Sequence, residues 1–296
     1  MIIKNPVTDE KRRSSDPFAV YYEGVYYSCY ADGDGVYVSF CESLDLLGSA
    51  TEITVWKNEL DRPIYWYAPE MHKIDNRWYI YGAPGGWEDY PRHTMSVLES
   101  VSDDPKGPYV HKGIVKGLEN KNAIDGTILE HDGKRYMVWS DSNLLIAEMS
   151  DPFAIKGEIS LLARPERPYE TVMCGIVEGP CVIRKDGRLH IIYAASDSRS
   201  DDYCLALLTH KGGDVLDASN WEKSDGPVFS KTEGIYGPGH CSVTVAEKDG
   251  KTVDVLLYHA NLESGSGWNG RSVWVKPFTW DNGYPVFGKP ERIVEI

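Results

Sequence analysis

Hydrophobic and polar positions alternate with a period of two along most of this chain, and the alternating runs occur in pairs around short turns. In one pair, residues 127–129 begin an alternating run and residues 135–139 form a β-rich run, with Asp132 and Gly133 between them. Two such runs around Asp-Gly are a strong local signal for a β-hairpin. The pattern therefore predicts strands joined by tight turns.

Five such hairpins follow one another, with intervals of 52, 57, 54 and 63 residues between successive turns. The turns lie at Gly24, Asn76, Gly133, Gly187 and Gly250. Strand repeats of this length are typical of β-propellers, in which each repeat forms a four-stranded blade. We therefore predict an all-β, five-bladed β-propeller that forms a single domain over residues 1–296, with each hairpin as the inner half of a blade. Residues 1–15 are expected to form an arm or an outer strand that closes the ring.

The residues that open the hairpins are polar and stand beside a proline or a glycine. They are Asp16, Glu70, Asp125, Glu178 and His240. If each hairpin opens with the strand nearest the propeller axis, these side chains converge at one mouth of the central channel. Like charges held this close are costly, and such clusters are typical of functional sites. For Glu70 a structural role is favoured, while for His240 a site role and a place in the core both remain open.

Paired carboxyl groups of this kind suit the hydrolysis of a glycosidic bond. One protonated acid serves the leaving oxygen, and one carboxylate activates water; a separation of roughly 6.5 to 9.5 Å gives inversion, and roughly 5 Å gives retention. Asp16 and Glu178 belong to blades that are not adjacent, so we expect the wider distance. The charge of Asp125, between them in chain order, is expected to raise the pKa of Glu178.

The composition narrows the choice of partners. A formal charge of −14 argues against nucleic acid and against an anionic membrane, and favours a neutral or soluble partner. Nine Trp and nineteen Tyr fill blade cores or offer flat rings to sugars. Trp87 lies in a turn-rich segment, residues 84–93, and is a candidate for the wall of a binding pocket. The oligomeric state stays open.

The start of the chain and its cysteines bear on location. The first fifteen residues lack the apolar segment of a secretory signal, and no apolar run approaches the length of a membrane span. The six cysteines include no Cys-x-x-Cys pair, so buried thiols are expected. These features predict a cytoplasmic protein.

Five short motifs, in this order and spacing, resemble glycoside hydrolase family 43. They are Asp16 within SSDPF, YAPEMH at 67–72, IDGT at 124–127, VEGP at 177–180 and GPGH at 237–240. The resemblance extends from about residue 5 to residue 290 and implies an inverting enzyme on a five-bladed propeller. It further implies that Asp16 is the general base, that Asp125 tunes and orients the acid, and that Glu178 is the general acid. His240 matches a histidine of the central channel, where many members hold Ca²⁺ or another ion through water, although no cofactor is required.

The segments RWYIYGA, IAEM and LYHA look most like exo-acting α-L-arabinofuranosidases of this family. The resemblance therefore implies release of terminal α-L-arabinofuranosyl units from arabino-oligosaccharides or arabinan side chains. A β-D-xylosidase and an endo-arabinanase of the same family remain alternatives. Outside the enzymes, a sugar-binding propeller remains open, although such a module has no need of three acids at its axis.

Four residues are expected to contact the sugar, and two positions depart from the pattern of relatives. The expected contacts are Phe18, Tyr67, Trp87 and Arg271. Relatives commonly have Trp at the position of Tyr67 and Asn at the position of Val177. Val177 lies next to the expected acid Glu178, and Tyr67 is expected near the sugar, so the two departures bear on substrate or activity.

Overall fold

The structure, a computed structural model, describes residues 1–8, 15–86, 93–248 and 250–296. It contains five four-stranded antiparallel sheets and one two-stranded sheet. None of the residues within these ranges lies in an α-helix. Short 3-10 helices occur at Leu44–Ser49, Pro168–Glu170, Ala218–Asn220 and Gly267–Gly270. Within the same ranges, no helix has the length and hydropathy needed to cross a membrane.

The five large sheets are the blades, and each is built from four consecutive strands paired in chain order. The strands of blades one and two are β2 (Val20–Tyr22), β3 (Val25–Ala31), β4 (Gly35–Cys41), β5 (Thr51–Lys57), β6 (Tyr65–Ile74), β7 (Arg77–Gly85), β8 (Ser96–Ser100) and β9 (Tyr109–Ile114). Those of blade three are β10 (Ile124–His131), β11 (Lys134–Ser140), β12 (Leu144–Asp151) and β13 (Ala154–Ala163). Those of blades four and five are β14 (Val177–Lys185), β15 (Arg188–Ala195), β16 (Cys204–His210), β17 (Trp221–Lys223), β18 (Tyr236–Lys248), β19 (Lys251–Asn261), β20 (Arg271–Asp281) and β21 (Tyr284–Val286). The prediction of a five-bladed β-propeller is confirmed.

The tight turns lie where the sequence predicts them. Four inner hairpins turn through two residues that both have positive φ: Glu23 and Gly24, Asp75 and Asn76, Asp132 and Gly133, and Asp186 and Gly187. Two-residue turns of this kind match the right-handed twist of the paired strands, and Gly, Asn and Asp adopt them at low cost. In the fifth hairpin Gly250 also has positive φ, while residue 249 lies outside the described ranges.

The hydrophobic core is divided among the five interfaces between neighbouring blades. Strand β11 shows how the alternation produces this arrangement. Tyr136 and Val138 pack with blade four, whereas Met137 and Trp139 pack with blade two. Because successive side chains of a strand point to opposite faces, both faces of the blade are buried against its two neighbours.

The two ends of the chain meet in the two-stranded sheet. β1 (Ile2–Lys4) pairs with β22 (Ile293–Glu295). Next to it, the buried Asn5 side chain donates to the carbonyls of Val275 and Glu291 and accepts from the N–H of Val275. The start of the chain therefore fastens the last blade, as an outer strand closing the ring is expected to do.

Candidate active site

The inner strands begin with irregular pairing at the residues that carry the polar side chains. The register shifts between Tyr67 and Glu70, between Ile124 and Thr127, between Glu178 and Cys181, and on either side of Gly239. A bulge interrupts the alternation of a strand and re-aims a side chain, which explains why such features cluster at active sites. Asp16, Asp125 and His240 adopt left-handed backbone conformations with φ of 50°, 57° and 38°. Asp and His adopt such conformations more readily than most residues other than glycine, and here they re-aim the side chains at the start of three inner hairpins.

His240 links two of the predicted acids. Its Nδ1 lies 3.3 Å from Asp16 Oδ1 and 3.9 Å from Asp125 Oδ2. Since both distances share one atom, the two carboxylates occupy a single small cluster. Burial by itself lowers the pKa of His240, but the carboxylates of Asp16 and Asp125 outweigh burial, and the pKa is raised.

Asp125 is buried and is held by the neighbouring inner strand. Its Oδ2 accepts the backbone N–H of Gly179 at 3.0 Å, directly beside Glu178 in the chain. Burial raises the pKa of Asp125 to about 6, although the imidazole of His240 opposes the shift. The arrangement joins Asp125 to the strand that carries Glu178.

Glu178 is partly exposed and accepts a hydrogen bond from the hydroxyl of Tyr203 at 2.7 Å. Burial raises its pKa to about 7, and the charge of Asp125 adds to that shift. The hydroxyl of Tyr203 acts in the opposite direction because it stabilises the ionised form. A carboxyl group with this pKa can give up a proton in neutral solution.

Asp16 is surrounded by groups from blade five. Its backbone N–H donates to Nδ1 of His259 at 3.2 Å, and Arg271 Nη1 lies 3.7 Å from Asp16 Oδ1. His259 is buried and stacks on Tyr203, with ring centroids 5.6 Å apart and planes 7° apart. Burial lowers the pKa of His259 well below its usual value, so the ring is neutral and accepts the bond from Asp16.

Tyr203 and His259 are absent from the predicted site, although they link Glu178 to Asp16 through their stacked rings. The segment LYHA contains His259, and its pairing with Gly239 places it beside His240. This position in the hairpin is a signal that sequence reasoning could have used. Tyr203 comes from a loop between strands, and no local pattern marks it.

Three of the remaining predicted site residues, Glu70, Phe18 and Tyr67, each lie against a histidine. Glu70 is buried, and its Oε2 lies 2.9 Å from His72 Nε2. Phe18 is half-buried, with its ring 5.7 Å from that of His72. The ring of Tyr67 stacks on buried His93 at 4.5 Å. Trp87 lies outside the described residues.

The central channel is a cavity of about 550 Å³ lined by the inner strands of all five blades. Phe18, Glu70 and His72 line it. Across the ranges that the structure describes, no three His, Cys, Asp or Glu side chains are grouped to hold a metal ion directly. Nδ1 of His240 is directed at the acids, and an imidazole is a poor ligand for Ca²⁺, which prefers oxygen. These side chains do not form a direct metal site, so no chemical step is assigned to an ion.

The arrangement supports acid–base chemistry at a glycosidic bond. It combines a partly exposed carboxyl group with a raised pKa, a second buried carboxyl group, and a third, Asp16, that is ion-paired to Arg271. A carboxyl group with a raised pKa suits the acid of such a reaction, and a carboxylate beside a guanidinium suits its base.

Comparisons with known proteins agree with this chemistry. The model of the family described as glycosyl hydrolases family 43 matches residues 3–285. An extracellular exo-α-(1→5)-L-arabinofuranosidase of Streptomyces avermitilis is 33% identical over 97% of this chain and 63% of its own length. A protein of the same name from Streptomyces chartreusis is 35% identical over 87% of this chain and 82% of its own. The chain thus spans less than two thirds of the length of the Streptomyces avermitilis relative.

A solved structure is similar over almost its whole length. The α-L-arabinofuranosidase from Lactobacillus brevis superposes with a TM-score of 0.87 at 30% identity, covering 98% of this chain and 97% of that one. The likeness therefore includes the blades and the connections that carry the site.

The predicted cytoplasmic location is wrong. Both Streptomyces relatives are named extracellular enzymes. The prediction depended on the polar start of the sequence, and a secretory leader is removed from a mature protein, so that segment is no guide to location.

Proposed function

The chain belongs to glycosyl hydrolases family 43, and from this premise we propose that it is an inverting, exo-acting α-L-arabinofuranosidase. Its substrates are arabino-oligosaccharides or arabinan side chains, from which it releases the terminal sugar. The names of the two Streptomyces relatives and of the Lactobacillus brevis structure support this choice of sugar. The same proposal assigns the activity to residues 1–296 as one catalytic domain.

Asp16 is the general base in this proposal. Its carboxylate lies 3.7 Å from the guanidinium of Arg271 and takes a proton from the water that attacks the anomeric carbon. The Nε of Arg271 is buried and has no hydrogen-bond partner among the described residues, so the side chain retains a donor suited to a sugar hydroxyl. Arg271 thus orients both the base and the terminal sugar.

Glu178 is the general acid, and it donates its proton to the leaving oxygen. The observation that carries the proposal is the clustering of the carboxyl groups: Asp16 and Asp125 lie 3.3 Å and 3.9 Å from one nitrogen of His240, and Asp125 accepts the N–H of Gly179, next to Glu178 in the chain. Burial raises the pKa of Glu178 to about 7. Asp125 keeps that pKa high and is fixed by the N–H of Gly179, so it tunes and orients the acid. After release of the sugar, Asp16 returns its proton to solvent and Glu178 takes one up.

The test is to digest α-1,5-arabinotriose and follow the products by proton NMR from the first minutes. We expect arabinose and arabinobiose, with the arabinose first appearing as the β-anomer because a single displacement inverts the α-linkage. Early release of α-arabinose would contradict inversion. Release of arabinobiose from the interior of linear arabinan would favour an endo-arabinanase.

A β-D-xylosidase is the second candidate, because arabinofuranose and xylopyranose present similar hydroxyls to the same three acids. Tyr67, at the position where relatives commonly have Trp, is the residue that bears on this choice. Nitrophenyl α-L-arabinofuranoside and nitrophenyl β-D-xylopyranoside, compared by kcat/KM, separate the two. Binding of either sugar without turnover, at high protein concentration, would instead favour a sugar-binding propeller.

An ion in the central channel, held through water near His240, stays part of the proposal as a structural element. It is tested by measuring Tm and activity after treatment with a chelator and again after addition of Ca²⁺. A rise in Tm with Ca²⁺ would support the ion, and identical curves would remove it.

A further inference from the structure

Trp268 is a large aromatic side chain that remains half exposed. It lies in the 3-10 helix Gly267–Gly270, between β19 and β20, and 48% of its surface is accessible. Most large apolar residues of this propeller are buried between blades, whereas this indole is exposed at the end of blade five. None of the roles described above uses it.

The indole is held rigidly. Its Nε1 donates to Ser198 Oγ at 3.0 Å, and the guanidinium of Arg199 lies 5.4 Å from the ring centroid. Arg199 is itself fixed by Asp197, whose side chain is 5% exposed and accepts from Nε at 2.8 Å and from Nη2 at 2.5 Å. A ring fixed in this way loses little entropy when it binds a ligand, which favours binding.

Ser198, which holds the indole, also connects Trp268 to the proposed catalytic groups. The carbonyl of Ser198, whose hydroxyl holds the indole, accepts from Arg271 Nη2 at 3.4 Å, and Arg271 Nη1 lies 3.7 Å from Asp16. The loop that carries Ser198 also carries Tyr203, which donates to Glu178. Trp268 therefore lies beside the mouth, over the junction of blades four and five.

We propose that the indole of Trp268 is the platform for the second sugar of the substrate, the one on the leaving-group side of the scissile bond. This inference rests on the proposed arabinofuranosidase activity. Glu178 protonates the leaving oxygen, so the leaving sugar lies on the side of the scissile bond that faces this acid. The loop that holds Trp268 through Ser198 belongs to blade four and also carries Tyr203, which donates to Glu178. Flat, amphipathic rings suit the apolar faces of sugars.

The platform makes a prediction that separates two substrates. α-1,5-Arabinotriose places a sugar on the ring, whereas methyl α-L-arabinofuranoside has only a methyl group there. Replacing Trp268 with Ala should raise KM for the triose about tenfold, since an aromatic contact of this kind contributes about one order of magnitude in affinity. For the methyl glycoside, kcat/KM should stay within about twofold of the parent, because the terminal sugar does not reach the ring.

Two further variants serve as a control and as a conservative replacement for comparison with Trp268→Ala. Tyr284→Ala is the matched control. Tyr284 is 39% exposed, and the guanidinium of Arg188 lies 4.7 Å from its ring centroid, so its environment resembles that of Trp268. However, Tyr284 belongs to the outermost strand of blade five. Tyr284→Ala should change neither substrate. Trp268→Phe keeps a ring and loses the bond to Ser198, so its KM for the triose should fall between those of the parent and Trp268→Ala. If Trp268→Ala fails to fold, the KM of Trp268→Phe for the triose tests the platform instead.

The outcomes distinguish the platform from the proposed function. If the parent hydrolyses both arabinosides and Trp268→Ala lowers kcat/KM equally for both, the ring only supports the loops and the platform is overturned. An unchanged KM for the triose overturns it as well. If the parent hydrolyses neither arabinoside, the proposed activity fails and the platform fails with it. A selective rise in KM for the triose supports both.

Discussion

Glu178 and Asp125 share one buried cluster, but their individual contacts differ. Each accepts one hydrogen bond that favours its ionised form, from Tyr203 and from Gly179 respectively. Burial outweighs these bonds, and the two pKa values rise to about 7 and about 6. Burial favours the neutral form of both groups, and the charge of Asp125 further raises the pKa of Glu178.

Removing the proposed general acid or the proposed general base should strongly reduce turnover without unfolding the chain. Glu178→Gln and Asp16→Asn should each lower kcat on arabinotriose by about 10²- to 10⁴-fold, the usual contribution of a general acid or base. With a nitrophenyl leaving group, Glu178→Gln should lose much less, because that group departs without a proton. Glu130→Gln, at an exposed residue of β10, is the control. Near-normal turnover in either active-site variant would remove that residue from its role.

The pH profile tests how the pKa of Glu178 is set. Glu178 must be protonated, so kcat/KM should fall as pH rises through about 7. Asp125→Asn removes a negative charge, which lowers the pKa of Glu178 and moves the alkaline limb to lower pH. Tyr203→Phe removes a donor to the ionised form, which raises that pKa and moves the limb to higher pH. Shifts in the same direction, or no shift, would contradict this account.

At the scale of the elements, the connection between β13 and β14 is held by a buried charged residue. It contains Glu170, which is fully buried and accepts from the backbone N–H groups of Glu166 and Arg167, from Tyr193 Oη and from Lys223 Nζ. Burial alone would raise the pKa of Glu170, but these donors outweigh it, and the pKa is lowered. The connection leads directly to the strand that carries Glu178.

Glu170→Gln should destabilise the protein by about 3 kcal/mol, because it removes the buried carboxylate 2.9 Å from the ammonium of Lys223 and leaves that buried ammonium the exposed and more distant carboxylate of Glu166, at 3.6 Å. Urea unfolding at pH 7 measures this. Since the pKa of Glu170 is lowered in the fold, its contribution is present above the usual carboxyl pKa and is lost as pH falls through the lowered value. Glu166→Gln, at a side chain that is 65% exposed, should change stability by less than about 0.5 kcal/mol. Equal effects of the two variants would contradict the role of Glu170.

At the scale of the whole molecule, stability is distributed over five similar interfaces, and the ends of the chain meet at the last one. Each blade buries alternate residues of its strands against a different neighbour, as β11 does. The acids lie where the inner strands converge, so the site depends on the ring remaining closed. Asn5, between the two ends, contributes three buried hydrogen bonds to that closure.

Asn5→Ala should lower the free energy of unfolding by about 2 kcal/mol, because it leaves the N–H and C=O of Val275 buried without partners. Lys4→Ala, at an exposed neighbour, should have little effect. Thermal unfolding of the two variants compares them. A loss of activity in Asn5→Ala at temperatures where it stays folded would show that closure also shapes the site. An unchanged Tm would contradict its contribution to the ring.

The local pattern of the chain was enough to predict the blades and the positions of the acids. Alternation marks each strand, and pairs such as Asp132 and Gly133 mark each turn, because these residues adopt positive φ at low cost. Asp16, Asp125 and Glu178 could be named because equivalent positions of a repeat lie at equivalent places around an axis. These signals are local or periodic, and both can be read without coordinates.

The partners of those acids were decided only by the tertiary structure. Tyr203 lies in a loop of blade four and His259 on the second strand of blade five, and they contact Glu178 and Asp16 from there. No period connects them to Glu178 or Asp16. The pKa values also depend on burial and on charges from other blades, which arise only when the ring closes. The alternation of side chains thus determined the scaffold, while contacts between blades determined which groups surround the proton that the reaction needs.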